Sequence, residues 1–220
     1  MKKVLSLFLI VCTLAASSTA NPANAGGWGV TTLDGWPQTM VAGKTFTVTF
    51  VVRQHGNHVN TSVEPEFDFH NQATGKVLRV KAKLLSRLER FMAVITFPSA
   101  GEWEGEIISF PQQRLPNVMV TKVDKVIKVD KVEQGKMLFV AKGCFMCHAH
   151  SNITRSGEYS GAYGAGGAPT LTPNKWDAAY LRTWLKNPKA VKPTTQMPNL
   201  ELKDKEIESL VAFLTAKLAN

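Results

Sequence analysis

Two thiols and an imidazole fall in the run Cys144-Phe145-Met146-Cys147-His148. Thiols three positions apart can each add to one of the two vinyl groups of a single porphyrin. The histidine directly after the second thiol then lies under the iron, where a ring nitrogen can act as an axial ligand. A bare C-x-x-C leaves zinc, a redox dithiol and haem all open. With the added histidine it reads as the attachment signature of a covalently bound haem c. One such haem is expected, held by Cys144 and Cys147, with His148 on the iron.

A second axial donor is sought among the seven methionines of the chain. Met1 lies in the leader. Met40, Met92 and Met119 fall in strand-like stretches, and Met137 and Met146 sit on the attachment side. Met197 stands in a proline-bounded segment, Gln196-Met197-Pro198, well downstream of His148, and is the expected donor. His150 is the rival, but it is too close to His148 to cross to the opposite face. An iron with both axial positions filled has none left for a substrate. Outer-sphere electron transfer is therefore expected, with no enzyme activity and no small-molecule substrate.

The compartment suits that chemistry. Lys2 and Lys3, the apolar run 4–16 and Ala23-Asn24-Ala25 have the three parts of a secretory signal peptide over residues 1–25. Cys12 falls inside it, so Cys144 and Cys147 are the only cysteines of the mature chain. In an oxidising compartment such a pair otherwise forms a disulfide. A thioredoxin-like use would need a β-α-β pattern around the motif, and none is visible. The expected location is periplasmic or otherwise extracytoplasmic, with membrane association if the signal is retained. Residues 26–130 carry 12 basic and 10 acidic side chains, and residues 131–220 carry 12 and 7. The positive excess sits on the thiol-bearing half. An acidic docking face on a redox protein or membrane respiratory complex is the partner this implies, and nucleic acid is not expected.

Two domains are expected to position these groups, 26–130 and 131–220. In the first, apolar and polar residues alternate through Phe46–Val52, Leu78–Leu84, Phe91–Phe97 and Trp103–Ile107. Shorter runs lie near 28–32 and 63–69, and a last one spans 118–129. Ala42-Gly43, Gly56-Asn57, Thr74-Gly75 and 98–101 break them, a pattern for an antiparallel, all-β sandwich with Trp103 at its centre. The pattern resembles the immunoglobulin-like sandwiches of the FixH and YtkA type. His55 and His58, with His70 and Met92, are soft enough donors for a speculative copper site. The near-repeat Lys122–Val126 and Lys128–Val132 reads as a final strand entering a charged linker.

The second domain is expected to be all-α. Helical spacing appears over 133–144, over 176–187 before Pro188, and over 206–218, where Ile207, Leu210, Val211, Leu214 and Leu218 share a face. Gly135 and Phe139, the C-x-x-C-H run, Ala168-Pro169-Thr170-Leu171, Gln196–Leu200 and the terminal Leu210 and Phe213 together resemble the class I, mitochondrial-type monohaem cytochromes c. The resemblance implies that the first and last helices cross at Gly135, and that the Pro169 carbonyl accepts the His148 ring proton. It also implies that Met197 brings its sulfur to the iron. Phe139, Leu171, Trp184, Leu185, Leu200 and Phe213 would wall the ring, and Lys142, Lys175, Lys186, Lys189 and Lys192 would collar its exposed edge. The glycine-rich segment 156–167, with Tyr159 and Tyr163, reads as a flexible loop. Two other readings stay open: a copper-handling or docking protein served by the haem domain, and a haem enzyme or sensor with a labile Met197.

Overall fold

Eleven strands, a short 3-10 turn and five α-helices follow one another among the described residues of the computed structural model, which are 29–37, 39–55, 58–123, 129–154, 156–157, 168–171 and 176–217. The expected signal peptide, residues 124–128 of the linker repeat, most of the 156–167 loop, Lys175 and Leu218 lie outside the described residues. Among the described residues no helix is long and apolar enough to cross a membrane.

The strands form two sheets. In the first, β1 (Gly29–Asp34), β3 (Thr45–Gln54), β8 (Arg90–Thr96) and β7 (Lys83–Leu85) lie side by side, with β4 (His58–Val59) also on β3. The second runs β2 (Met40–Val41), β11 (Val118–Thr121), β9 (Gly101–Ile107), β5 (Glu66–Asn71) and β6 (Val77–Lys81), with β10 (Gln113–Arg114) also on β9. Period-2 alternation turns Val48, Phe50, Phe91 and Ile95 of one sheet toward Phe67, Phe69, Trp103 and Ile107 of the other, in one shared core. Trp103 is fully buried and donates its indole N–H to the Ser99 carbonyl at 3.1 Å. Leu78–Leu84, expected as a single strand, is two: the chain breaks at Ala82, and β6 and β7 join different sheets.

The outer face of the first sheet departs from the polar pattern of a solvated face. β1 and β3 pair antiparallel with Val30 opposite Arg53 and Thr32 opposite Val51, so these four share a side. All four are buried. What covers them is the helical half.

That half contains α1 (Lys131–Ala141), α2 (Cys144–Cys147), α3 (Ala178–Lys186), α4 (Pro188–Val191) and α5 (Asp204–Thr215). Asp130 caps α1 by accepting from Glu133 N at 2.9 Å, and Asp177 caps α3 by accepting from Tyr180 N at 2.8 Å. α1 and α5 cross at Gly135, where an added Cβ would lie 2.0 Å from the Ser209 carbonyl oxygen and 2.6 Å from Phe213 Cβ. Only glycine permits that approach. Pro188 does more than stop α3. With Asn187 as cap it occupies the first turn of α4, where its missing N–H costs nothing.

Candidate haem site

Lys142 is the C-cap of α1, and Gly143 follows with φ of 74°. Two constraints require glycine there: the left-handed backbone, and Val30 Cγ2, which an added Cβ would meet at 2.3 Å. The chain turns directly into α2, one helical turn that carries both thiols, and His148 follows as its extended C-cap. Cys144 and Cys147 are not joined in a disulfide. Burial pushes Cys144 up to about 12 and Cys147 up to about 11. Dithiol redox centres need a depressed thiol pKa, so the environment is the opposite of theirs.

His148 Nδ1 lies 2.9 Å from the Pro169 carbonyl oxygen. A carbonyl only accepts, so Nδ1 carries the proton and Nε2 is left with its lone pair. Burial lowers the pKa of the ring, and the Pro169 contact opposes that in part. The imidazole is thus neutral and aligned, the state an iron ligand requires.

A cavity of about 400 Å³ joins these groups to the downstream loop. Cys144, Cys147 and His148 line it, as do Pro169 and Met197, and its remaining wall is mostly apolar. Of the expected wall residues, Phe139, Leu171, Trp184, Leu185 and Leu200 line it. Phe213 does not; it packs behind Phe139, with ring centroids 5.7 Å apart. The Met197 sulfur accepts the Trp184 indole N–H at 2.9 Å. The volume falls within the range of cofactor clefts. The donor set is two thiols on one turn, an oriented imidazole and a thioether. It fits a covalently held haem, and these four residues are the ones that would hold it.

Several participants escaped the sequence. Val30 lines the cavity from β1, in the other half of the molecule. Trp176 and Tyr180 join the expected Trp184 in a stacked ladder that starts two residues before α3 and continues along it, with centroids 6.2 and 5.9 Å apart, and all three line the cavity. Their spacing of four residues was the available signal. Tyr180 is 42% exposed. Lys142, expected in the exposed collar, is 2% exposed; its ammonium meets Glu206 at 2.9 Å and Asp34 at 3.4 Å. His150 does not line the cavity; it stacks on Phe213 with centroids 4.3 Å apart.

The donors considered for copper are not gathered in one place. His55 and His58 stand at the turn between β3 and β4, whose residues 56–57 lie outside the described set. His70 is on the other sheet, 3.3 Å from the Asp68 carboxylate, and Met92 is on β8. Among the described residues, no group of three or more His, Cys, Asp or Glu is placed to hold a metal ion.

Residues 132–216 match the family model described as Cytochrome c. The helical half therefore carries a cytochrome c domain. The comparison with curated proteins gave no match. Among solved structures, the chain is similar to two variants of the superoxide reductase (neelaredoxin) from Ignicoccus hospitalis. Identity is 14% in both cases. The matches cover 45% and 43% of this chain and 85% and 82% of those chains, with TM-scores of 0.29 and 0.30.

Proposed function

We propose that this protein is an exported monohaem c-type cytochrome that carries electrons to or from a respiratory redox partner. One observation carries the reading: both thiols, an imidazole with its Nδ1 proton committed to Pro169, and the Met197 thioether line a single apolar cavity. Iron held between imidazole and thioether supplies a one-electron couple biased toward the ferrous state. The protein's own part is to orient and to exclude. Pro169 sets the ring plane and tautomer of His148, and the Trp184 N–H fixes one side of the Met197 sulfur. Phe139, Leu181, Leu185 and Leu210 keep water from the walls. His148 and Met197 would both donate to the iron, which would leave no position for a substrate and supports the role of a carrier. Export is supported by the basic, apolar and small-residue segments of 1–25. The two-sheet half is read as an immunoglobulin-like sandwich on its shared core and its pairings, which are antiparallel except for β2, parallel to β11.

The test is expression in a host that matures c-type haem, followed by a pyridine haemochrome assay before and after acid-acetone extraction. One haem per chain that resists extraction is expected, and Cys144→Ala/Cys147→Ala should lose it. A colourless product, or pigment extracted from the parent protein, would overturn the proposal.

A further inference from the structure

The two-sheet half touches the helical half at both segments that carry the iron donors. On the thiol side, Val30 and Thr31 pack against Gly143, and Asp34 pairs with Lys142, two residues before Cys144. Arg114 of β10 lies over the ring of Phe145, inside the C-x-x-C loop, 4.9 Å from its centroid, and donates to the Thr154 carbonyl. On the methionine side the contact is Glu201, four residues after Met197. Its backbone is left-handed, with φ of 55°, and Leu200 and Leu202 on either side are buried. Between those anchors its carboxylate reaches out to Arg90 at 2.5 Å and Arg53 at 3.4 Å. Arg90 also pairs with Asp34, and Arg53 donates to Thr32 at 3.1 Å. The Glu201 grip and the Lys142 grip therefore meet at Asp34 on one strand.

Arg53 is 6% exposed on a strand face that would otherwise be apolar or wet. A buried guanidinium is costly unless something compensates it, and Glu201 lies on the methionine loop. We infer that the two-sheet half is a positioning frame for the haem site, in which Arg53 and Arg90 hold the Met197 loop in place through Glu201. This inference rests on the haem reading above. It gives the β half a function inside the electron carrier, setting how tightly the thioether stays on the iron, and it makes Arg53, Arg90 and Glu201 positioning residues.

The experiment uses the full-length, haem-loaded chain in the ferric state, with imidazole as a probe that competes with the thioether. Glu201→Gln is the decisive variant. The side chain is 59% exposed, so its change leaves both cores intact. Expected is a rise of tenfold or more in imidazole affinity, with weakening of the long-wavelength absorption band of thioether-ligated ferric haem. Arg90→Ala should do the same, Arg90→Lys should recover part of the loss, and Glu201→Gln/Arg90→Ala should have less than the summed effect of the single changes because both remove the Arg90–Glu201 pair. Arg182→Ala, which breaks an exposed pair between α3 and Glu208 of α5, should leave both readouts at parental values. Imidazole affinity within twofold of the parent in Glu201→Gln, or an equal rise in Arg182→Ala, would overturn the inference. The covalent pigment of the parent protein decides the haem reading separately, so the two failures are distinguishable.

Discussion

His150 sits two residues beyond His148, yet its surroundings give it a different task. Its ring is 2% exposed and stacks on Phe213, and Nδ1 accepts the Asn152 N–H at 3.2 Å. Nε2 is buried with no hydrogen-bond partner among the described residues. Burial lowers its pKa from the ordinary 6.5. As pH falls through that ordinary value, the unfolded chain takes up a proton that the folded protein refuses, so stability is lost on acidification. In the haem-loaded protein, the difference in Tm between pH 7.5 and pH 5.5 should shrink in His150→Phe, which keeps the stacking and removes the proton. Parallel melting curves for the parent and the variant would contradict this.

Helix crossings place the ligands, and the closest is that of α1 and α5. Gly135→Ala would drive a methyl group into the Ser209 carbonyl and Phe213. Overpacking of this kind costs about 1–3 kcal/mol, and the backbone oxygen in the way puts this site at the upper end. A clear fall in Tm is expected with little change in the visible spectrum, since Cys144, His148 and Met197 lie elsewhere; calorimetry and absorbance check the two halves of that statement. The spacing of Gly135 and Phe139, and of Leu210 and Phe213, made the two helices legible in the sequence; that they cross came from the resemblance to class I cytochromes c. The C-x-x-C-H run and Met197 were legible because their chemistry is local or punctuated by proline. The break at Ala82 was not, because alternation continues unbroken through it and only the pairing partners change. Nor was the burial of Val30, Arg53 and Lys142. Arg53 and Glu201 are 148 positions apart, and nothing in either neighbourhood announces the other.

At the scale of the whole molecule, the fold thins the positive collar that the sequence suggested. Lys142 is taken into the contact between the halves, and Lys186 pairs with Asp204 at 2.6 Å. Lys192, exposed, lines the mouth of the cavity, and Lys189 is exposed one turn before it on α4. Val30 of β1 lines the cavity, as do the exposed Pro169, Tyr180 and Lys192, and we propose the edge bearing Lys192 as the one a redox partner meets. Lys175 lies outside the described residues; the exposed Lys189 and Lys192 still act on an anion over about 10 Å at 0.1 M salt. Oxidation of the ferrous protein by ferricyanide should therefore slow several-fold as salt rises from 10 to 200 mM. Lys189→Glu/Lys192→Glu should flatten or reverse that slope, while Lys44→Glu, on the two-sheet half, should leave it unchanged. Stopped-flow rates against ionic strength separate the outcomes. A slope indifferent to Lys189 and Lys192 would move electron entry away from this edge, and an effect of Lys44 would point to the net charge of the chain in place of a local collar.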